Sequence, residues 1–368
     1  MKVERVELHR LRMPMKEPFE TSFGVEYDKS VLIVAIHGGG FVGLGECGAA
    51  DDPFYLEETN ASAEYIITHF LVPMLLSTEF DSPEEFVRST AHIRRNEMAK
   101  AAVEAAIWDL FSRSRGTPLY RMIGGTKIEI PVGISVGIQP TIDQLVSKVA
   151  GYLEQGYKRI KIKIKPGKEV DQVRALRTTL GDFPLMADAN SAYCLDDAEL
   201  LGNLDRYNLM MIEQPLAYDD LIDHAELAKK ISTPICLDES IRSLSHLDAA
   251  VRLGSCQIVN LKMPRVGGVL ESIKIANFCA GAGLDLWCGG LLETGVGRAF
   301  NLAITSLDAF TLPGDTAPSE RYFVRDIVDR PAEFSSPGII SLSERPGVGV
   351  DLDPSALEDY LVDSKSFG

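Results

Sequence analysis

The sequence predicts an α/β protein whose larger part is a closed barrel of parallel strands and helices, preceded by a smaller region with antiparallel strands. From about residue 130, short apolar runs of four to six residues alternate with helical segments. Strand, helix, strand, helix is typical of parallel βαβ units. Seven or eight such units in succession favour a closed barrel over an open doubly wound sheet.

The first part of the chain has the pattern of an antiparallel sheet followed by helices. Apolar and polar residues alternate at 3–11 and 31–36, and the turn at 37–40 leads into a third strand. The G-x-G at 43–45 lies in this hairpin and does not open a helix, so it is not a dinucleotide-binding fingerprint. An alanine-rich amphipathic helix at 98–116 ends the helical part of this region.

Seven apolar runs are the expected barrel strands. In the second of them, lysines at 161 and 163 alternate with isoleucines at 160, 162 and 164. Because successive side chains of a strand lie on opposite faces, we expect the isoleucines to face the helices and the lysines to face the barrel interior. The seven runs are PVGISVGI (131–138), RIKIKIK (159–165), FPLMADAN (183–190), LMMIEQP (209–215), TPICLDES (233–240), CQIVNLKMP (256–264) and LDLWCGG (284–290).

A charged residue lies near the C-terminal end of five consecutive strands. Lys163 is followed by Asp188, Glu213, Asp238 and Lys262, at spacings of 25, 25, 25 and 24 residues. A constant offset of one βα unit places these residues at the same height, at the C-terminal mouth where barrel enzymes hold their catalytic groups. Three unpaired carboxylates would repel one another and would be costly to bury, so we expect a divalent cation among them. Oxygen-only ligands favour Mg²⁺ over zinc.

This arrangement suits abstraction of a proton α to a carboxylate. A metal ion held by the carboxylates neutralises the enediolate, and a nearby amine removes the proton. Lys163 lies on one flank of the expected metal site and Lys262 on the other. Near a cation and a second lysine, we expect the pKa of such a lysine to fall from about 10.4 toward neutrality, which makes it a usable base.

Composition excludes several classes of protein. The net charge of −16 and the isoelectric point near 4.9 disfavour nucleic acid and anionic membranes as partners. Six cysteines without a C-x-x-C pair disfavour a disulfide framework and fit a reducing compartment. The sequence has no signal-peptide pattern and no run of about 20 apolar residues. We therefore expect a cytoplasmic protein.

Several segments resemble the enolase superfamily, within its muconate-lactonizing-enzyme-like group. They are KAAVEAAIWDL before the barrel and KIKIKPG, DANSAY, IEQP, LDES and NLKMPRVGG on successive strands. Longer phrases such as TPICLDESIRS and WCGGLLETGVGRAFN resemble the subfamily of o-succinylbenzoate synthases and N-succinylamino acid racemases. The resemblance covers nearly the whole chain. It implies a modified (β/α)₇β TIM-type barrel at 126–320, under an α+β capping domain built from 1–125 and 321–368.

The resemblance also implies catalytic roles for individual residues. The site would hold one Mg²⁺, with Mn²⁺ as the alternative ion. No histidine lies in 284–298, where the histidine-base branch of the superfamily carries its base, so the chain resembles the two-lysine branch. The matching metal ligands are Asp188, Glu213 and Asp238, the matching acid/base groups are Lys163 and Lys262, and the supporting lysine is Lys161.

A capping loop and several strand ends are expected to contact the substrate, a small-molecule carboxylate. The loop PFETSFG at 18–24 resembles the mobile loop of the family, and its two phenylalanines either cover the substrate or are core aromatics of the capping domain. Arg265 lies three residues beyond Lys262 and either lowers the pKa of that lysine or is a plain surface arginine. The expected substrate-binding residues are Phe19, Phe23, Ser135, Asn190, Arg265, Gly289 and Leu291.

Two related activities fit the resemblance. The first is an Mg-dependent o-succinylbenzoate synthase, which dehydrates 2-succinyl-6-hydroxy-2,4-cyclohexadiene-1-carboxylate in menaquinone synthesis, with N-succinylamino acid racemase activity at the same site. The second is a dedicated N-acylamino acid racemase, because both reactions begin with α-proton abstraction. A dipeptide epimerase is disfavoured, since Asp315 is followed by Thr316 and Ala317 and not by a second acid.

Alternatives from other classes remain open. A Schiff-base barrel aldolase would use Lys163 or Lys262 without a metal, and would leave three in-phase carboxylates unexplained. A binding barrel without catalysis is the last alternative. Members of the superfamily commonly form dimers or octamers, so we expect a homo-oligomer.

Overall fold

The computed structural model describes residues 1–22 and 24–368 and contains a capping domain and a barrel. Within these residues, the strands form a four-stranded antiparallel sheet, a seven-stranded parallel sheet and a two-stranded antiparallel sheet. The predicted α/β fold with a TIM-type barrel and a capping domain is confirmed.

The capping sheet joins the two ends of the chain. Strands β1 (Arg5–Glu20), β2 (Val25–Gly38) and β3 (Phe41–Cys47) are antiparallel neighbours. The C-terminal strand β13 (Leu361–Phe367) pairs antiparallel with β1, which gives the order β13-β1-β2-β3. The last residues of the chain therefore lie beside the first.

Helix α4 (Glu97–Ser114) packs closely against β3, and two glycines permit this contact. A Cβ at Gly43 would lie 2.0 Å from the carbonyl oxygen of Ala106, and one at Gly45 would lie 2.0 Å from that of Ala102. The G-x-G pattern therefore serves helix packing. The other capping helices are α1 (Asn60–Ile66), α2 (Val72–Ser77), α3 (Pro83–Thr90) and α5 (Leu119–Met122), with a π-helical segment Ile67–Leu71 between α1 and α2.

Seven parallel strands follow one another in chain order around the barrel. The segment 311–315 lies between the two edge strands. The Asp315 N–H donates to the Cys288 carbonyl at 2.8 Å, and the Gly133 N–H donates to the Gly314 carbonyl at 2.8 Å, which closes the barrel in the place of an eighth strand. The strands are β5 (Gly133–Val136), β6 (Arg159–Lys163), β7 (Leu185–Asp188), β8 (Ile212–Glu213), β9 (Ile235–Leu237), β10 (Ile258–Leu261) and β11 (Asp285–Cys288).

Helices connect these strands on the outside of the barrel. They are α6 (Ile142–Glu154), α7 (Glu169–Leu180), α8 (Ala198–Gly202), α9 (Ile222–Leu227), α10 (Leu244–Leu253), α11 (Met263–Val266), α12 (Val269–Ala282) and α13 (Gly295–Thr305). Strands β4 (Glu129–Pro131) and β12 (Ile339–Ser341) form the two-stranded sheet, and α14 (Pro354–Tyr360) leads into β13. No helix of the described residues is long and apolar enough to cross a membrane.

The residues of β6 divide between two environments, as the alternation predicts. Ile160 and Ile162 of β6, and Ile164 directly after it, are buried in the apolar core that the strands share with the surrounding helices. On the interior side, the Lys161 ammonium lies 4.7 Å from the ring centroid of Trp287. This ring belongs to a small apolar cluster below the charged residues, formed by Met186, Met211, Cys236, Ile258 and Trp287.

Candidate active site

Three acidic side chains lie at the mouth of the barrel on consecutive strands. Asp188 ends β7 and Glu213 ends β8, and these two residues are register partners. Asp238 directly follows the last residue of β9. All three are almost fully buried. The constant spacing in the sequence therefore corresponds to one βα unit each, as predicted.

Lys161 bridges carboxylates from three parts of the barrel. Its Nζ lies 2.8 Å from Oδ2 of Asp315, 3.0 Å from Oε2 of Glu213 and 3.3 Å from Oδ2 of Asp188. Asp315 belongs to the closing segment and also pairs with Arg159 at 2.8 Å. These contacts make Lys161 the centre of the ion-pair network at the floor of the site.

Lys163 and Lys262 approach the same cavity from opposite sides. Lys163 ends β6, and Lys262 directly follows β10, which lies four strands further around the barrel. The seven strands and the closing segment give the barrel eight positions in all. The Lys163 Nζ donates to Oδ2 of Asp188 at 2.6 Å, and the Lys262 Nζ donates to Oδ2 of Asp238 at 2.8 Å. Both lysines line the cavity between the barrel mouth and the capping domain.

The pKa of Lys262 is shifted in the direction opposite to our expectation. Burial is the largest single effect and lowers the pKa of this ammonium, but the charges of Asp238, Tyr55 and Glu239 together raise the pKa above its ordinary value. Arg265 lowers the pKa of Lys262, yet less than Asp238 raises it. The predicted fall toward neutrality is therefore wrong for Lys262 in this ion-paired network, because a carboxylate in direct contact dominates over more distant cations.

Of the three carboxylates, Glu213 is the one whose negative charge is least compensated by nearby positive groups. Burial raises its pKa well above the usual range, and the charges of Asp188 and Asp238 raise it further, against the effect of Lys161. Its Oε1 accepts a hydrogen bond from the Asn260 side chain at 2.5 Å. An additional positive charge near these oxygens would relieve the repulsion.

The donor set fits a hard divalent cation. Among residues 1–22 and 24–368, no group of three acidic, histidine or cysteine side chains is already arranged to hold a metal ion. Lysines and Arg265 form ion pairs with the three carboxylates instead. Asp188, Glu213 and Asp238 provide only oxygen donors, which suits Mg²⁺. The repulsion at Glu213 is the observation that supports a cation at this position.

Four of the predicted substrate-binding residues line the cavity above these groups. Phe19 and Leu291 contribute apolar surface to it. Ser135 lines it as well, and its Oγ is buried without a hydrogen-bond partner in the part of the chain that the structure describes. The Asn190 amide is engaged with protein groups, since its Nδ2 donates to Oε1 of Glu239 at 3.0 Å and its Oδ1 accepts from a lysine.

Gly289 does not line the cavity, and neighbouring Gly290 does. A Cβ at Gly289 would lie 2.1 Å from Oδ1 of Asn260, so the glycine is required for packing against that side chain. The prediction of a pocket role for Gly289 is corrected accordingly. Phe23 lies outside the described residues.

Arg265 is neither a surface arginine nor part of the cavity lining. It is almost fully buried and bonds the carboxylate of Asp238. Its Nη2 donates to the Asn260 carbonyl at 2.7 Å, and its Nε donates to the Ile241 carbonyl at 3.0 Å. Because these bonds engage the guanidinium behind Asp238, the predicted substrate contact of Arg265 is wrong.

The sequence did not identify three polar partners of the site. Asn260 lies on β10 and precedes Lys262, just past the end of this strand, by two residues, so the alternation was a usable signal. Asp315 lies at the end of the closing segment, which has no apolar strand pattern. Tyr55 lies in a second loop of the capping domain, the one between β3 and α1. Nothing in its local sequence indicates contact with Lys262.

Two family models match this chain, one in each domain. Residues 5–124 match the mandelate racemase / muconate lactonizing enzyme N-terminal domain, and residues 144–356 match the enolase C-terminal domain-like family. An o-succinylbenzoate synthase from Geobacillus kaustophilus is 50% identical, over 99% of this chain and 97% of that protein. An N-succinylamino acid racemase from Thermus thermophilus is 43% identical, over 96% of this chain and 95% of that protein.

Solved structures give the same result. The structure of an enolase-superfamily member from Listeria innocua superposes with a TM-score of 0.96 at 42% identity, covering 100% of this chain and 99% of that chain. Both domains are thus matched by sequence, and the whole chain by structure. Since the family models together match most of the chain and relatives match nearly all of it, this chain belongs to the enolase superfamily.

Proposed function

We propose that this chain is an o-succinylbenzoate synthase that also racemises N-succinylamino acids at the same site. The observation that carries the proposal is the pair of lysines, Lys163 and Lys262, which reach one cavity from opposite sides above three buried carboxylates. Relatives at 50% and 43% identity that carry these two names support the combination of activities.

Asp188, Glu213 and Asp238 would hold a divalent cation, either Mg²⁺ or Mn²⁺, through their oxygen atoms. When bound, the ion neutralises negative charge that develops on a substrate carboxylate after loss of the α-proton. Lys161, which contacts two of these three carboxylates, would keep their side chains in position.

Dehydration needs one base, and we assign that role to Lys163. As a neutral amine it takes the α-proton, and the electron pair of the C–H bond moves toward the carboxylate. That pair then forms the new ring double bond as the C–O bond of the leaving hydroxyl breaks, and Lys163 returns the proton so that water departs. Lys262 stays an ammonium beside the developing negative charge.

Racemisation needs both lysines, one on each face of the substrate. One amine takes the α-proton from its face, and the opposite ammonium delivers a proton to the other face, which inverts the carbon. The reverse reaction exchanges the roles of Lys163 and Lys262. Their positions, four strands apart in a barrel of eight, support proton transfer from opposite faces.

The capping domain and the strand ends would select the substrate. Phe19 is buried and lines the cavity, so we propose that it covers the apolar part of the substrate. The unpartnered Ser135 hydroxyl would bond a substrate oxygen, which satisfies a buried polar group. Leu291 would limit the width of the cavity.

We also propose a cytoplasmic location and a homo-oligomer. All six cysteines are free, and five of them are buried, which suits a reducing compartment. The net charge of −16 supports a small-molecule substrate over nucleic acid or an anionic membrane. Light scattering of the purified protein measures the oligomeric state.

Metal removal and one substitution test the proposed function. EDTA should abolish dehydration and racemisation, and added Mg²⁺ should restore both, whereas a Schiff-base aldolase would keep its activity. Lys163→Ala should abolish dehydration without changing the circular dichroism spectrum. The matched control is Lys165→Ala, whose side chain is 45% exposed and should leave turnover unchanged. Full turnover in EDTA, or by Lys163→Ala, would contradict the proposal.

A further inference from the structure

We infer that Tyr55, a residue of the capping domain, is a positioning residue for Lys262. It accepts a hydrogen bond from Lys262 as Asn190 of the barrel does from Lys163. The inference rests on the proposed function, because it assigns Tyr55 a role in proton transfer on one face only.

The two lysines have matching hydrogen-bond partners. Lys163 donates to a carboxylate oxygen of Asp188 at 2.6 Å and to the neutral amide oxygen of Asn190 at 2.6 Å. Lys262 donates to a carboxylate oxygen of Asp238 at 2.8 Å and to the neutral hydroxyl oxygen of Tyr55 at 2.7 Å. Each ammonium therefore has one charged and one neutral acceptor.

These two acceptors determine where the third position on each nitrogen points. A lysine ammonium has three N–H donors, so two bonds to protein leave one N–H for the cavity that both lysines line. When Lys262 is a neutral amine, its two remaining N–H bonds keep the same acceptors, and the lone pair takes the third direction. Loss of one acceptor lets the amine rotate about the Cε–Nζ bond, which misaligns the lone pair with the α-proton.

Tyr55 is itself held in place on several sides. The Arg265 Nη1 donates to its hydroxyl oxygen at 3.0 Å, and the hydroxyl donates to Oδ2 of Asp238 at 3.3 Å. The Lys262 ammonium also lies 4.6 Å from the centroid of the Tyr55 ring. A phenol fixed by these contacts can orient the amine with little freedom of its own.

The two neutral acceptors differ in the domain that provides them. Asn190 follows β7 of the barrel, whereas Tyr55 belongs to the capping loop between β3 and α1. The orientation of the Lys262 side-chain nitrogen therefore depends on Tyr55, and so on the packing of the capping domain against the barrel. Since only Lys163 moves a proton in the proposed dehydration, loss of the Tyr55 hydroxyl should affect racemisation more than dehydration.

The test is α-deuterium exchange in D₂O, measured separately for each enantiomer of an N-succinylamino acid. Lys163→Ala and Lys262→Ala first identify which enantiomer each lysine deprotonates. Tyr55→Phe keeps the ring beside Lys262 and removes only the hydroxyl. We expect it to slow exchange on the Lys262 face by about tenfold or more, since misaligned reacting groups lose large factors in rate. Exchange on the Lys163 face and the kcat for dehydration should fall by a clearly smaller factor than exchange on the Lys262 face.

A matched control and the opposite results make the inference falsifiable. Tyr65→Phe removes a hydroxyl from an exposed tyrosine of the capping domain and should leave both exchange rates unchanged. Equal loss on both faces in Tyr55→Phe, or no loss on either, would overturn the role of Tyr55 while the proposed function stood. Wild-type protein that exchanged neither enantiomer and dehydrated nothing would overturn the proposed function, and the inference with it.

Discussion

Replacement of Glu104 by glutamine is expected to stabilise the protein at pH 8 and to have little benefit at pH 5. Glu104 lies on α4 of the capping domain and is almost fully buried. Its Oε1 accepts from the Trp108 indole at 2.9 Å and from the Leu270 N–H of barrel helix α12 at 2.9 Å. Its Oε2 has no hydrogen-bond partner among the described residues. The Glu104 carboxyl group thus links the two domains, but few groups around it compensate its negative charge when it is ionised.

The size of the effect follows from the pKa of Glu104. Burial raises this pKa from 4.5 to about 7, against the hydrogen bonds that lower it. One pKa unit corresponds to about 1.4 kcal/mol, so ionisation of Glu104 costs the folded state about 3 kcal/mol. Because the pKa is higher in the folded than in the unfolded chain, the stabilising contribution is complete below pH 4.5 and is lost as the pH rises through 7.

Urea unfolding followed by circular dichroism between pH 5 and pH 8 measures this effect. Glutamine keeps an acceptor for Trp108 and Leu270 and cannot ionise. The free energy of unfolding of Glu104→Gln, relative to wild type, should therefore rise by about 2.5 kcal/mol from pH 5 to pH 8, because part of the effect is already present at pH 5. The control is Glu129→Gln on β4, an exposed glutamate whose replacement should give no such pH dependence. A difference for Glu104→Gln that stayed constant over this pH range would refute the reasoning.

Three further predictions concern the metal site, the substrate cover and the packing of the capping domain. Asp238→Asn should reduce kcat at least 100-fold and weaken Mg²⁺ binding measured by calorimetry, because one anionic ligand is lost; near-normal turnover without added metal would exclude this site. Circular dichroism must show that the variant is folded, since Lys262 and Arg265 lose a buried counter-charge. Phe19→Ala should mainly raise KM, because the substitution removes apolar cover from the substrate. Loss of α-proton exchange while the substrate still binds would instead place Phe19 in the catalytic machinery. Gly45→Ala should destabilise the protein by about 1–3 kcal/mol in urea unfolding, because its Cβ would overlap the carbonyl of Ala102, and an unchanged midpoint would contradict the close packing of α4 on β3.

The strands and the charged residues of the barrel were predictable from sequence because the (β/α) unit repeats with nearly constant length. The spacing of about 25 residues identified Asp188, Glu213 and Asp238 as neighbours at one end of the sheet, and the structure places them there. The alternation in β6 separated the isoleucines from Lys161 and Lys163 in the same way. Local periodicity is sufficient for such residues, since the regular fold converts sequence distance into position.

Contacts between distant segments were not predictable in this way. Tyr55 reaches Lys262 across 207 positions of sequence, from a loop with no strand or helix periodicity. Arg265 was expected among the substrate-binding residues, but its position on the short helix α11 directs the guanidinium behind Asp238. The raised pKa of Lys262 comes from Asp238 first and then from Tyr55 and Glu239, and spacing alone does not determine which charges lie closest to the lysine.

Face-specific exchange by Lys262→Ala tests the central claim, that one lysine serves each face of the substrate. The variant is incubated in D₂O with each enantiomer of an N-succinylamino acid, and α-deuterium and configuration are measured by mass spectrometry and chiral chromatography. With Lys163 intact on the opposite side of the barrel, we predict that one enantiomer still gains deuterium with retention while racemisation stops. Exchange of both enantiomers at wild-type rates would contradict the two-lysine account.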